Sequence, residues 1–125
     1  MENVNTYTWI IEYMNTSTQT VNGFTEAVLN CGWRCNATSS QTHSTTNQYG
    51  TITVPYTASV YGTCSFPEPP ANDPNFVPYA NLTQATVLQW IWDNGVNEND
   101  TQATLDTLIN NQINPPVVQN KLPWA

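Results

Sequence analysis

Positive charge is what this chain has least of. Arg34 and Lys121 are its only strongly basic side chains, His43 is its one imidazole, and nine acids leave a formal net charge of −7. A phosphate backbone is gripped by several Lys or Arg that displace its counterions, so no nucleic acid is expected as a partner. The same deficit argues against an anionic membrane surface. Charge of either sign is scarce, at 9% of residues, where soluble domains carry roughly a quarter. Thr, Asn and Gln fill the surface role instead, a composition that suits many copies side by side.

Other absences narrow the field further. No apolar run is long enough to span a bilayer, and the opening MENVNTYTW lacks the basic and apolar regions of a signal peptide. The expectation is a soluble, unprocessed chain made in the cytoplasm. Five glycines build no phosphate-cradling loop. Three cysteines cannot all pair. Cys31 and Cys35, four residues apart on one strand, stand roughly 13 Å from each other. Cys64 could reach either, and the plainer reading is three buried thiols acting as small hydrophobes.

What is present is organised around residues 76–95, FVPYANLTQATVLQWIWDNG. Pro78 holds Val77 extended. Asn81 or Thr83 can cap a helix, Asn81 with Gln84 three residues on in a capping-box spacing. Ala85, Val87, Leu88, Ile91 and Trp92 share a face, Trp90 sits at its edge, and Gly95 supplies the left-handed stop. A stripe this apolar must pack on a broad surface.

The rest of the chain supplies one. Tyr7, Trp9, Ile11 and Tyr13 alternate over residues 7–13, which predicts a strand. A polar connection over 15–22 ends at Gly23. A second strand is predicted over 24–37, with Ala27, Leu29, Cys31, Trp33 and Cys35 inward and Glu26, Asn30, Gly32 and Arg34 outward. Residues 38–48 (TSSQTHSTTNQ) read as a mobile hairpin loop, and a third strand is predicted over 49–56, with Pro55 marking an edge. Residues 58–75, rich in proline, read as irregular. A second helix is predicted after Asp100 or Thr101, with Leu105, Leu108, Ile109 and Ile113 inward, Asp106 favouring the macrodipole near its start, and Pro115-Pro116 ending it. Trp124, in the last stretch, is expected to dock. The result is one α+β domain over 1–125: an antiparallel three-stranded meander (within 1–75), two helices on one face (76–114) and an extended tail (115–125).

No constellation announces a reaction. A Cys–His pair would need His43 on a rigid element, and a zinc set of Cys31, Cys35, His43 and Cys64 lacks a knuckle turn. The carbonyl- and carboxylate-rich run through Asp93, Asn94, Asn97, Glu98, Asn99 and Asp100 departs from the calcium-loop order. No catalytic residue, metal or cofactor is expected. Tyr56, Tyr61, Phe66 and Trp124 could form a carbohydrate-binding face, or fill the core or an interface.

Three stretches together carry a resemblance: Thr6-Tyr7-Thr8-Trp9-Ile10, the run Phe76-Val77-Pro78-Tyr79 continuing through Leu82-Thr83 to Val87-Leu88 and Trp90-Ile91, and Leu122-Pro123-Trp124-Ala125. They resemble a family of small tailed-phage proteins, many from phages of cyanobacteria, and the resemblance implies a virion component. The resemblance spans both ends and the central helix. It implies a non-enzymatic virion protein, a capsid decoration (cement) subunit or small tail component, contacting major capsid or tail proteins and copies of itself. Extended arms would make those contacts, through Pro69, Pro70 and Phe76 in one and Val117, Val118, Leu122, Pro123 and Trp124 in the other. The alternatives are a carbohydrate-binding module for host attachment and a small enzyme or metal protein using the Cys/His set.

Overall fold

A computed structural model describes residues 3–117 and 120–124. Three antiparallel strands, β1 (Asn5–Thr16), β2 (Val28–Asn47) and β3 (Gly50–Ser65), form one open sheet in the order β1-β2-β3. A single 3-10 turn (Tyr79–Asn81) precedes two helices, α1 (Gln84–Asp93) and α2 (Glu98–Ile113). Both pack on the same face, α1 over β1 and α2 over β2 and β3. The α+β meander with two covering helices is therefore the fold. None of the helices is long and apolar enough to cross a membrane among the described residues.

The inner face follows the period-two rule along β2. Cys31, Trp33, Cys35, Ala37 and Ser39 are buried, and from the helices Val87, Ile91, Leu105 and Ile109 meet them. Each of those four aliphatic side chains contributes about 1.5–3 kcal/mol by burial, so they supply most of the helix–sheet adhesion. Trp9 lies 5.5 Å from both Trp33 and Trp92, the latter edge-on. The three indole N–H groups have no hydrogen-bond partner among the described residues, so ring packing alone holds this cluster.

Several boundaries differ from the sequence expectation, each for a local reason. Glu12 is an extra residue between the pairs Ile11↔Trp33 and Tyr13↔Gly32, a β-bulge. Beyond it Met14, not Tyr13, faces inward, and Tyr13 turns out to the open face. The second strand starts at Val28 because Glu26 has positive φ (53°). Phe24 instead closes a tight hairpin with Val21 around Asn22-Gly23, whose positive φ values suit a two-residue turn.

The largest correction concerns residues 38–48, which are strand and not loop. Paired residues run on from Thr42↔Pro55 to Asn47↔Gly50, leaving only Gln48 and Tyr49 to turn. Thr is β-branched and favours strand, but no helix covers this ribbon, so no apolar alternation marks it. β3 likewise continues to Ser65, and the irregular segment begins only at Phe66. Where the ribbon leaves the body, residues 39–41 oppose Tyr56 alone, between Thr38↔Thr57 and Thr42↔Pro55. The buried Ser39 hydroxyl donates to Asn3 Oδ1 and accepts from Gln41 N at 2.9 Å, which pins this elbow.

The helix ends differ too. Thr83, not Asn81, caps α1, accepting from Thr86 N at 3.3 Å, while Asn81 belongs to the 3-10 turn. Ala85 is exposed. Gly95 has φ +110°, and Val96 N donates to Ile91 O at 3.0 Å, the long bond of a Schellman end. Asn97 caps α2, three residues earlier than expected, with Glu98 and Asp100 in the first turn. Asp106 lies mid-helix and accepts from Tyr7 Oη and, at 2.8 Å, from Asn5 Nδ2.

Candidate functional site

The segment after β3 builds a groove with aromatic walls. Phe66 N donates to Leu29 O at 3.0 Å, which extends the ladder by one step before Pro67 removes the next donor. Asn22 Nδ2 donates to Pro69 O at 2.7 Å, and Phe24 stacks on Phe76 at 4.1 Å, so the small Val21–Phe24 hairpin fastens the proline-rich run at two points. Asp73 Oδ1 accepts from Asn75 N at 2.9 Å and turns the chain back. Between this run and α1 lies a groove of about 260 Å³.

Its lining is mostly apolar and includes two carboxylates. Phe66 and Trp90 meet edge-on at 5.7 Å, and Pro67, Pro69, Pro70 and Phe76 continue the wall. Glu68 and Asp73 also line it. Pro69, Pro70 and Phe76, singled out in the sequence, are thus brought together in one feature. Phe66 was read instead as a candidate sugar-binding aromatic and Trp90 as the edge of a helix stripe, and the two acids were not singled out. Trp90 did leave a signal, because a Trp at the edge of a helix stripe faces a neighbour other than the sheet.

The other half of the expected contact set lies away from the core. Val117 and Trp124 are each 81% exposed and Leu122 is 53% exposed, so Trp124 does not dock on its own domain. Pro123 is exposed beside them, and Val118 lies outside the described residues. Trp is among the residues enriched at interface hot spots, and Trp124 stands exposed.

The alternative constellations do not assemble. Cys31 and Cys64 face each other across β2 and β3, and Cys35 is two inward steps further along β2, beyond Trp33. All three are free and buried, and burial pushes Cys31 and Cys35 up to about 11 and Cys64 upward, the wrong direction for a nucleophile. His43 stacks on Tyr56 at 4.6 Å out on the ribbon. It lies eight positions along β2 from Cys35, roughly 26 Å of chain. No cluster of three metal-ligating side chains occurs among the described residues. The polar run between the helices is occupied by capping: Asn94 Nδ2 donates to Trp90 O at 2.8 Å, and Asn97 serves α2.

The four candidate sugar-binding aromatics also separate. Tyr61 is exposed on the open sheet face with the Arg34 guanidinium 4.8 Å above its ring. Phe66 lines the groove, Tyr56 meets His43, and Trp124 is on the tail.

Both sheet edges carry a glutamine: Gln84, read in the sequence as a capping-box partner of Asn81, and Gln112, which left no signal. Gln84 Oε1 accepts from Ile11 N at 2.9 Å on the β1 edge. Gln112 Nε2 donates to Thr57 O at 2.8 Å on the β3 edge. These side chains occupy backbone groups that a foreign strand would otherwise use.

No curated protein and no solved structure matches the chain significantly. A family model does match, over residues 4–124, and the chain belongs to that family, described as a domain of unknown function (DUF7936).

Proposed function

We propose that this chain is a non-enzymatic structural subunit of a phage virion, a capsid decoration (cement) protein or small tail component held by multi-copy protein contacts. Its partners on this reading are major capsid or tail proteins and further copies of itself, and its place is the particle, after synthesis in the host cytoplasm. The observation that carries the reading is the tail, where Val117, Leu122 and Trp124 stand in water with no role in the domain's own core. Apolar side chains held out of the fold are costly unless a partner covers them.

The sequence resemblance to tailed-phage proteins supplies the kind of particle, and the acidic, nearly cation-free composition suits an outer position better than one against packaged DNA. Quantitative mass spectrometry of purified particles, with heads and tails separated, tests the reading. High copy number in heads assigns a decoration role, and a few copies in tails assign a tail role. Absence from both overturns the proposal.

A further inference from the structure

The two halves of the candidate contact set have matching chemistry. The groove offers aromatic and proline walls with two carboxylates, Glu68 and Asp73. The exposed run over residues 121–124 reads Lys-Leu-Pro-Trp. We infer that the groove of one copy receives residues 121–124 of a second copy, the Trp124 indole entering between Phe66, Trp90 and the prolines while Lys121 meets the two carboxylates. This rests on the reading of the chain as a multi-copy structural subunit.

Charge selects this occupant. The chain has only two strongly basic side chains, and Arg34 is engaged: its Nε lies 3.1 Å from Glu12 Oε2, its Nη1 donates to Ser59 at 2.9 Å, and it covers Tyr61. Lys121 has no carboxylate partner among the described residues. Among the described residues, the unpaired cation Lys121 therefore lies three residues before the exposed Trp124, and the groove presents the complement of both. Aromatic anchors in pockets with a charged rim are the usual anatomy of a specific contact.

Geometry favours a second copy over the same one. α2 begins just after Asn94, which lines the groove, and ends where Gln112 reaches Thr57. Thr57 and Phe66 are nine strand residues apart, roughly 30 Å. The end of α2 therefore lies far from the groove, and within one copy Trp124 is 81% exposed and absent from the groove's lining. A contact made that way is head-to-tail and generates chains or rings.

The test uses full-length chains and a synthetic peptide of residues 120–125. Sedimentation velocity should show the parent chain growing with concentration and Trp124→Ala remaining monomeric. The peptide should bind the Trp124→Ala chain saturably, and Glu68→Lys added to that chain should weaken binding about tenfold, equivalent to about 1.4 kcal/mol. A peptide with Lys121→Glu should bind the Glu68→Lys chain better than the unaltered peptide does, which a merely unfolded variant could not produce. Mixing Trp124→Ala with Glu68→Lys chains should stop growth at pairs. A parent chain that stays monomeric at all concentrations, or a peptide whose affinity ignores residue 68, overturns the inference. The particle count is independent: absence from particles with intact peptide binding defeats the virion reading alone, and presence in particles without peptide binding defeats the groove alone.

Discussion

The ring of Tyr13 lies over Gly32 on the open face of the sheet. A Cβ placed on Gly32 would clash with the outer part of the Tyr13 ring, a side chain that is half exposed. The ring covers backbone that glycine leaves bare, the arrangement by which aromatics offset a strand glycine. Gly32→Ala should therefore destabilise the fold by about 1–3 kcal/mol. In Tyr13→Ala the same substitution should cost little or become favourable. Urea denaturation of the four variants gives the coupling, and an additive cycle would show that the ring is not what excludes a side chain.

Leu105 and Leu108 were both assigned to the core by their spacing, yet Leu105 is fully buried and Leu108 is 40% exposed. Leu105→Ala should cost about 2–5 kcal/mol, because it leaves a cavity between α2 and the sheet. Leu108→Ala should cost less than about 1 kcal/mol. Equal losses in thermal or chemical unfolding would contradict the burial.

Alkaline stability depends on Tyr7 and the thiols. Tyr7 is pushed up to about 12, first by its hydrogen bond to Asp106, then by burial and by the charge of that carboxylate. Cys31 and Cys35 are pushed up to about 11, mainly by burial. The folded chain keeps protons that the unfolded chain releases from pH 9 for thiols and pH 10 for Tyr. Stability from these groups is complete below about pH 9 and falls as pH rises towards 12. Under reducing conditions Tyr7→Phe should flatten the fall above about pH 10 and leave the earlier, thiol-driven part. An unchanged profile would show that the Tyr7 proton is not retained by folding.

Gln84 and Gln112 should matter more for solubility than for folding. Their bonds to Ile11 N and Thr57 O are solvent-exposed, so Gln84→Ala with Gln112→Ala should cost no more than about 1–2 kcal/mol in total. Aggregation at high concentration should nevertheless accelerate, because both sheet edges regain free backbone groups. Light scattering of the double variant against the parent measures this. Equal rates would mean the glutamines guard nothing.

What could be read in the sequence tracks what is covered by a helix. Cys31, Trp33 and Cys35 alternate because α2 and α1 lie above them, and Val87, Ile91, Leu105 and Ile109 repeat at helical spacing because the sheet lies below. The ribbon from Thr42 to Asn47 is paired but uncovered, so it carries strand propensity without a strand pattern. The caps were only partly legible because several residues compete: Thr83, one of the two candidates with Asn81, caps α1, whereas Asn97 takes the α2 position expected of Asp100 or Thr101. Of the candidate contact residues, those near prolines were legible as extended chain. The opposite wall of the groove was hidden because Trp90 and Phe66 meet only in three dimensions.

The uncovered ribbon also has a mechanical meaning. Its pairs from Thr42 to Asn47 reach about 17 Å past the elbow at residues 39–41, and no helix is in register with them. Removing or adding one residue on each strand in matched pairs would keep every inward side chain inward only in steps of two, and would move the Tyr49 tip by about 7 Å per step. The domain therefore carries a ruler whose length can be reset without disturbing the body that holds it.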